Sequence, residues 1–332
     1  MTTSGGRPMR ASAPLVRGIS YATGQHPPEV VPEVMRTIHE DLHCTSVMLM
    51  DDDTTRQMEA ARSALEAGLD VVIRPYLPDR RRKAVLAHLV STARAAEELR
   101  QEHPGRVTLL VGSEFSLTSP GMIPGPRVFV RVQVLVRWRR FFDRRITRKL
   151  NRLLPEALRA ARAHFGGPIT YAAGFWEQVD WSDFDIVGIN LYRLGTDHAA
   201  YEQRVRTLVR DSDKPVFVTE FGCGAFEGAD RRGPGSFLAV NWFTDPPRMR
   251  AGHVRDEATQ AGYLGELIDL FAEAGIDGCF VFTFSMAEFP HHDDASYDID
   301  MAGFGVVKAK ADDPFHWEPK AAFHEVARRY AR

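Results

Sequence analysis

Two glutamates stand where short apolar runs end. Residues 214–222, Lys-Pro-Val-Phe-Val-Thr-Glu-Phe-Gly, form a nearly continuous apolar stretch opened by Pro215 and stopped by Gly222, with Glu220 near its C-terminal end. Arg106–Gly112 is a second such run, followed at once by Ser113, Glu114 and Phe115. Runs of this kind read as buried parallel strands covered on both faces. In a parallel α/β barrel their C-terminal ends open into the active-site mouth. Two carboxylates held there about 5 to 5.5 Å apart would suit double displacement at an anomeric carbon, one as nucleophile and the other as acid and then base. Mutual repulsion would raise one of the two pKa values and keep that acid protonated near neutral pH. The plain alternative is a pair of unrelated acids at loop edges.

Positioning both acids in one mouth requires further strands, and the chain offers them. Apolar runs at 15–21, 44–50, 71–77, 169–173, 184–192 and 278–284 read as strands, in addition to the two that carry the acids. Helical spacing marks 28–41, 54–68, 80–102, the second half of 127–165, 199–210, 256–274 and 319–330. Eight strands among helices predict a single (β/α)8 TIM barrel over residues 15–332, with long loops after strands four, seven and eight. Residues 1–14 are expected to be a disordered tail. A doubly wound open sheet is the rival, but Gly18 and Gly24 do not make its Gly-rich phosphate turn.

Composition narrows the class. Hydrophobic residues at 44% and charged residues at 26% suit a globular protein with a sizeable core. A net charge of −2 gives no bulk attraction to nucleic acid or to an anionic membrane, so neither is expected as a partner. No apolar run reaches the roughly 18 residues of a membrane span. The polar N-terminus lacks a signal-peptide core, and Cys44, Cys223 and Cys279 are too few and scattered for a disulfide framework. A cytoplasmic setting is expected.

Thr-Glu-Phe-Gly after strand seven and Gly-Ser-Glu after strand four carry a family resemblance, together with residues 169–176 (Ile-Thr-Tyr-Ala-Ala-Gly-Phe-Trp) and 185–192 (Asp-Ile-Val-Gly-Ile-Asn-Leu-Tyr). In these the chain resembles the clan A glycoside hydrolases, with its closest echo in bacterial β-mannanase-like members. The resemblance implies a retaining mechanism with Glu114 as acid/base and Glu220 as nucleophile. A looser resemblance is to bacterial TIM-barrel proteins labelled abortive infection proteins, a label that implies no chemistry. Two positions depart from the clan pattern: Ser113 stands where Asn often precedes the acid/base, and Phe282-Thr283-Phe284 where a Trp platform is usual.

Other groups fall at the same end of the predicted barrel. Arg74 in strand three is placed to pair with Glu220 and keep it ionised. Tyr192 could orient the nucleophile and Asn190 bond substrate; each also reads as an ordinary polar group of a barrel interior. Trp176 could stack on a sugar ring or pack against the next loop. The loops at 222–255 and 285–318 exceed the usual connection and predict a lid lined by Trp242 and Trp317. His291-His292-Asp293-Asp294 is metal-like in composition, but adjacent residues seldom converge on one ion. A rim role with Asp298 and Asp300 is expected instead, with no metal and no cofactor.

Arg137, Arg140, Arg144 and Arg148 recur at helical spacing, opposite an apolar stripe of Trp138, Phe142, Ile146 and Leu153. This reads as a barrel helix with a solvated cationic face, or as a site for an anionic partner. Upstream, the β-branched run Val128–Val136 leaves helix and strand undecided. The function expected is a retaining glycosidase acting on a small glycoside or oligosaccharide. Two alternatives stand beside it: a cyclase, isomerase or transglycosylase using the same acids, and a non-catalytic binding barrel linked to phage defence.

Overall fold

Eight parallel strands close on themselves: Val16–Ala22 (β1), Ser46–Asp51 (β2), Asp70–Pro75 (β3), Val107–Ser113 (β4), Ile169–Gly174 (β5), Val187–Asn190 (β6), Val216–Phe221 (β7) and Gly278–Val281 (β8). Each pairs with its sequence neighbours, and β8 returns to β1 with Val16 opposite Gly278. The structure, a computed structural model, describes residues 14–332. All but Pro14 of the expected tail therefore lies outside the described residues. The single (β/α)8 barrel is as the apolar runs predicted.

Met48, Val72, Leu110, Ala172, Ile186, Phe217 and Phe280 fill the barrel interior as one buried layer. Room for Phe280 depends on Gly18, because a Cβ there would lie 2.3 Å from its ring. A second, larger core lies between the outer strand faces and the helices. The helices are Val31–Arg36 (α1), Thr54–Glu66 (α2), Arg82–Glu102 (α3), Val128–Arg162 (α4), His198–Asp211 (α5), Glu257–Ala274 (α6) and Ala321–Tyr330 (α7), beside a single turn at Phe115–Thr118. Local chemistry sets their ends: Asp53, Asp197 and Asp256 accept backbone N–H bonds as N-caps, and Gly275 stops α6 at φ 80°. Among the described residues no helix stands between β5 and β6.

The β-branched run 128–136 is helical. A closed barrel leaves it no free edge to join, and fully buried Arg131 anchors it by donating to the Gly125 carbonyl at 3.0 Å, to Leu117 and to Asp79. α4 is broken at Trp138, whose φ of −132° and ψ of 20° are not helical. The break resets the phase of the apolar stripe. Ile146 and Leu153 are buried and Phe142 half-buried as predicted, but Trp138 turns away from them and is 51% exposed.

The loops after β4, β7 and β8 are long, as expected. The β7 loop carries short 3-10 turns at Ala229–Arg231 and Gly233–Ala239 and a ribbon pairing Val240–Asn241 with Arg248–Met249. The β8 loop folds into a second ribbon, Val307–Lys310 with Asp313–Pro319. The three cysteines are buried and free. No helix among the described residues is long and apolar enough to cross a membrane.

Candidate active site

Both acid-bearing strands carry one extra residue just before the acid. On β4, Leu110 pairs with Thr170 but Ser113 pairs with Ala172; on β7, Val218 pairs with Ile189 but Glu220 with Asn190. Such bulges re-aim side chains. They let Thr219 and Glu220, successive residues, both serve the barrel mouth.

Glu114 follows its bulge in a left-handed conformation, φ 42° and ψ 51°, which a non-glycine residue adopts only when its surroundings hold it there. Here they do. The Glu114 N–H donates to the Ala172 carbonyl at 2.9 Å, and the Glu114 carbonyl accepts from Leu117 and Thr118 at 2.7 and 2.8 Å. The Phe115 N–H donates to the Tyr171 hydroxyl at 2.6 Å, which donates to Glu177 at 2.8 Å. Glu177 also accepts from the N–H groups of Ser116 at 2.9 Å and Gly174 at 3.1 Å.

The two carboxyl groups have contrasting partners. Glu220 accepts from the Arg74 guanidinium at Oε1 and from the Tyr192 hydroxyl at Oε2, the latter at 2.9 Å. All three are buried. Burial, and then the Glu220 charge, hold the Tyr192 phenol well above its usual range, so it stays a donor. Among the described residues, the Glu114 carboxyl accepts one bond, from the Asn190 amide to Oε1 at 3.0 Å. Burial first, and the nearby Glu220 charge second, push its pKa up to about 8; the Asn190 bond and Arg74 pull the other way. Near pH 7 Glu114 is therefore a neutral acid beside an acceptor gripped by a cation and a phenol.

These groups form the floor of a cavity of about 990 Å3. Ser113, Trp176 and Phe282 line it with them, and Asn190 reaches Glu114 from β6. The Trp176 indole N–H donates to the Ser116 hydroxyl at 2.9 Å, so the ring is fixed at the wall. Apolar side chains of α4 between Val128 and Phe141 form one side, and Phe237, Trp242, Met286 and Phe289 the other. Trp242 is where the lid reading put it. Trp317 is not: the β8-loop ribbon carries its ring onto His26 and Phe284, with centroids 5.5 and 5.6 Å apart, outside the cavity lining.

Thr219, Tyr171 and Glu177 were not singled out in the sequence. Thr219 donates to the Asn190 Oδ1 at 2.7 Å and so aims the amide at Glu114. Its only cue was its place beside Glu220. His291, Asp298 and Asp300 come close enough to hold a cation, but Arg255 already donates to Asp298 at 2.8 Å and to Asp300 at 2.7 Å, and Lys320 lies 2.8 Å from Asp300. That cluster ties the β8 loop to the start of α6 and to α7. Arg137, Arg139 and Arg140 line the cavity mouth, whereas Arg144 and Arg148 lie on the exposed side of α4.

The closed parallel barrel, with Glu114 just past β4 and Glu220 near the end of β7, resembles in fold the TIM-barrel glycoside hydrolases, and solved structures bear out this likeness. A GH113 β-1,4-mannanase complex superposes with a TM-score of 0.61 at 16% identity, over 96% of this chain and 99% of that one. The GH113 β-mannanase of Alicyclobacillus acidocaldarius gives 0.59 at 15% identity, over 96% and 97%. Bacteroides uniformis β-glucuronidase 2 gives 0.57 at 15% identity, over 94% of this chain and 34% of that one. At such identity the likeness is one of fold. No family model and no curated sequence matches the chain.

Proposed function

We propose that the protein is a retaining glycoside hydrolase acting on a small glycoside or oligosaccharide. The observation that carries this reading is the unequal pair on one cavity floor: Glu114 held neutral by burial and by its neighbour, and Glu220 held by Arg74 and Tyr192. Glu220 attacks the anomeric carbon while Glu114 gives its proton to the departing oxygen, leaving a glycosyl ester on Glu220. Glu114, now a carboxylate, takes a proton from water as that water attacks the ester carbon, which frees Glu220 and restores the acid. No step calls for a cofactor. The buried free cysteines fit a reducing, cytoplasmic setting.

The apolar cavity walls favour a second reading, in which the same acids serve a cyclase, isomerase or transglycosylase. Two acids on the floor of one cavity, one of them aimed by Asn190, give no support to a purely binding barrel. The test is a panel of aryl β-mannosides, glucosides, galactosides and xylosides, with the first-formed sugar followed by proton NMR. Turnover that delivers the substrate's own anomer first supports the proposal. Turnover of none of them by folded protein favours the second reading, and the opposite anomer rules out double displacement.

A further inference from the structure

Six of the ten exposed large hydrophobic side chains among the described residues gather at one place, while Val130, Phe243, Val254 and Phe315 lie elsewhere. Among the described residues, Phe129, Val136, Trp138, Phe141, Leu194 and Leu238 are all exposed and all line this one cavity. Phe141 is 83% exposed and Val136 69%. Isolated surface hydrophobics need no explanation, but a contiguous apolar patch leading into a cleft marks a binding surface.

Arg74, Glu114, Tyr192 and Glu220 are on the floor and the arginines of α4 at the mouth; Thr118 and Arg232 also line the cavity, and the rest of the lining wall is mainly aliphatic and aromatic. A cavity of about 990 Å3 stands at the top of the roughly 300–1,000 Å3 range of small-molecule sites, well beyond one sugar ring. A second and third sugar against that wall would bring more hydroxyl groups than its few polar side chains can satisfy, at a desolvation cost. An apolar group would bury its surface without one. The wall is also anchored, since buried Arg131 ties the start of α4 to the Leu117 carbonyl in the turn after Glu114.

We infer that the substrate is a glycoside whose aglycone is large and apolar, with the sugar on the acid floor and the aglycone along the α4 wall. This inference rests on the glycosidase reading for its sugar, but the wall can be tested separately. The probes are methyl and octyl β-glycosides of mannose, glucose, galactose and xylose, kept below the micelle threshold. Binding to the Glu220→Ala variant is followed by calorimetry, and turnover by wild type is followed by sugar release.

Burial of a methylene is worth roughly fourfold in affinity when complete, so partial burial of the seven added by octyl predicts at least about a tenfold gain over methyl. Val136→Glu, a change at an exposed position, should bring the octyl-to-methyl ratio towards one with an unchanged melting temperature. Equal binding of both chain lengths by every sugar, or an octyl preference untouched by Val136→Glu, overturns the inference. Octyl binding without turnover upholds the apolar site and counts against the glycosidase reading. Turnover without chain-length preference does the reverse.

Discussion

The side-chain amide of Asn190, at the end of β6, donates to Oε1 of Glu114 at 3.0 Å while its carbonyl oxygen accepts the Thr219 hydroxyl at 2.7 Å. One side chain thus links the strand of one acid to the other acid itself. With Oε1 claimed by a donor, the proton of neutral Glu114 belongs on Oε2.

Removing that amide has a defined sign. The Asn190 bond lowers the Glu114 pKa, so Asn190→Ala should raise it further and move the basic limb of the pH–rate profile upward. Loss of the donor should also cut kcat on the order of tenfold or more. A profile measured on the most active aryl glycoside checks both; an unmoved basic limb would show that Asn190 does not act on Glu114.

Glu114 should also leave a mark on stability. Its carboxyl is ordinary when unfolded, near 4.5, and displaced to about 8 when folded, so unfolding between those values releases a proton. The stabilising contribution is complete below about 4.5 and is lost as pH rises through about 8, at about 1.4 kcal/mol per pH unit in between. Compared with Glu114→Gln, wild type should lose ground steadily from pH 5 to pH 8 in urea unfolding. The activity of wild type should fall over the same upper limb as the acid ionises.

Arg74 and Tyr192 hold the same carboxylate with different consequences. Arg74→Ala leaves buried Glu220 without its cation, and breaking a buried pair in this way costs about 3–5 kcal/mol. Tyr192→Phe removes one bond to Oε2 and should cost only about 1 kcal/mol of stability, yet slow the step that forms the glycosyl ester. Denaturant melts together with pre-steady-state kinetics separate the two effects.

The arginines at the mouth supply the prediction for an anionic partner. Arg137 and Arg140 are exposed at the cavity rim. An aryl glycoside bearing a sulfate on its aglycone should bind a few-fold more tightly than its neutral counterpart. Raised salt should abolish the difference, and the double change Arg137→Ser and Arg140→Ser should reduce it, with Arg139 and Arg232 still in the lining. Equal affinities at low salt would leave these residues a solvated face.

The parts of the molecule legible in the sequence are those written in short-range pattern. Apolar runs marked the eight strands, and the residues at their ends, Glu114, Glu220, Arg74, Asn190 and Tyr192, came together because strand ends in a parallel barrel share one rim. What escaped notice depends on register or on backbone partners. The bulges on β4 and β7 are visible only in pairing. Glu177 works by accepting from the N–H groups of Ser116 and Gly174, donors that every sequence offers everywhere. Trp138 left the apolar stripe because the helix breaks at that residue, and Trp317 left the lid because its loop folds into a ribbon over β1's loop.

The central claim is that Glu220 bonds covalently to the anomeric carbon. The direct measurement is turnover of an activated aryl β-glycoside by Glu220→Ala, with and without azide. Azide should restore activity to a variant that is otherwise slow and give the glycosyl azide of inverted configuration, because the small anion fills the vacated space and Glu114 remains in place. A Glu220→Ala variant that keeps wild-type activity on the same glycoside would contradict the account.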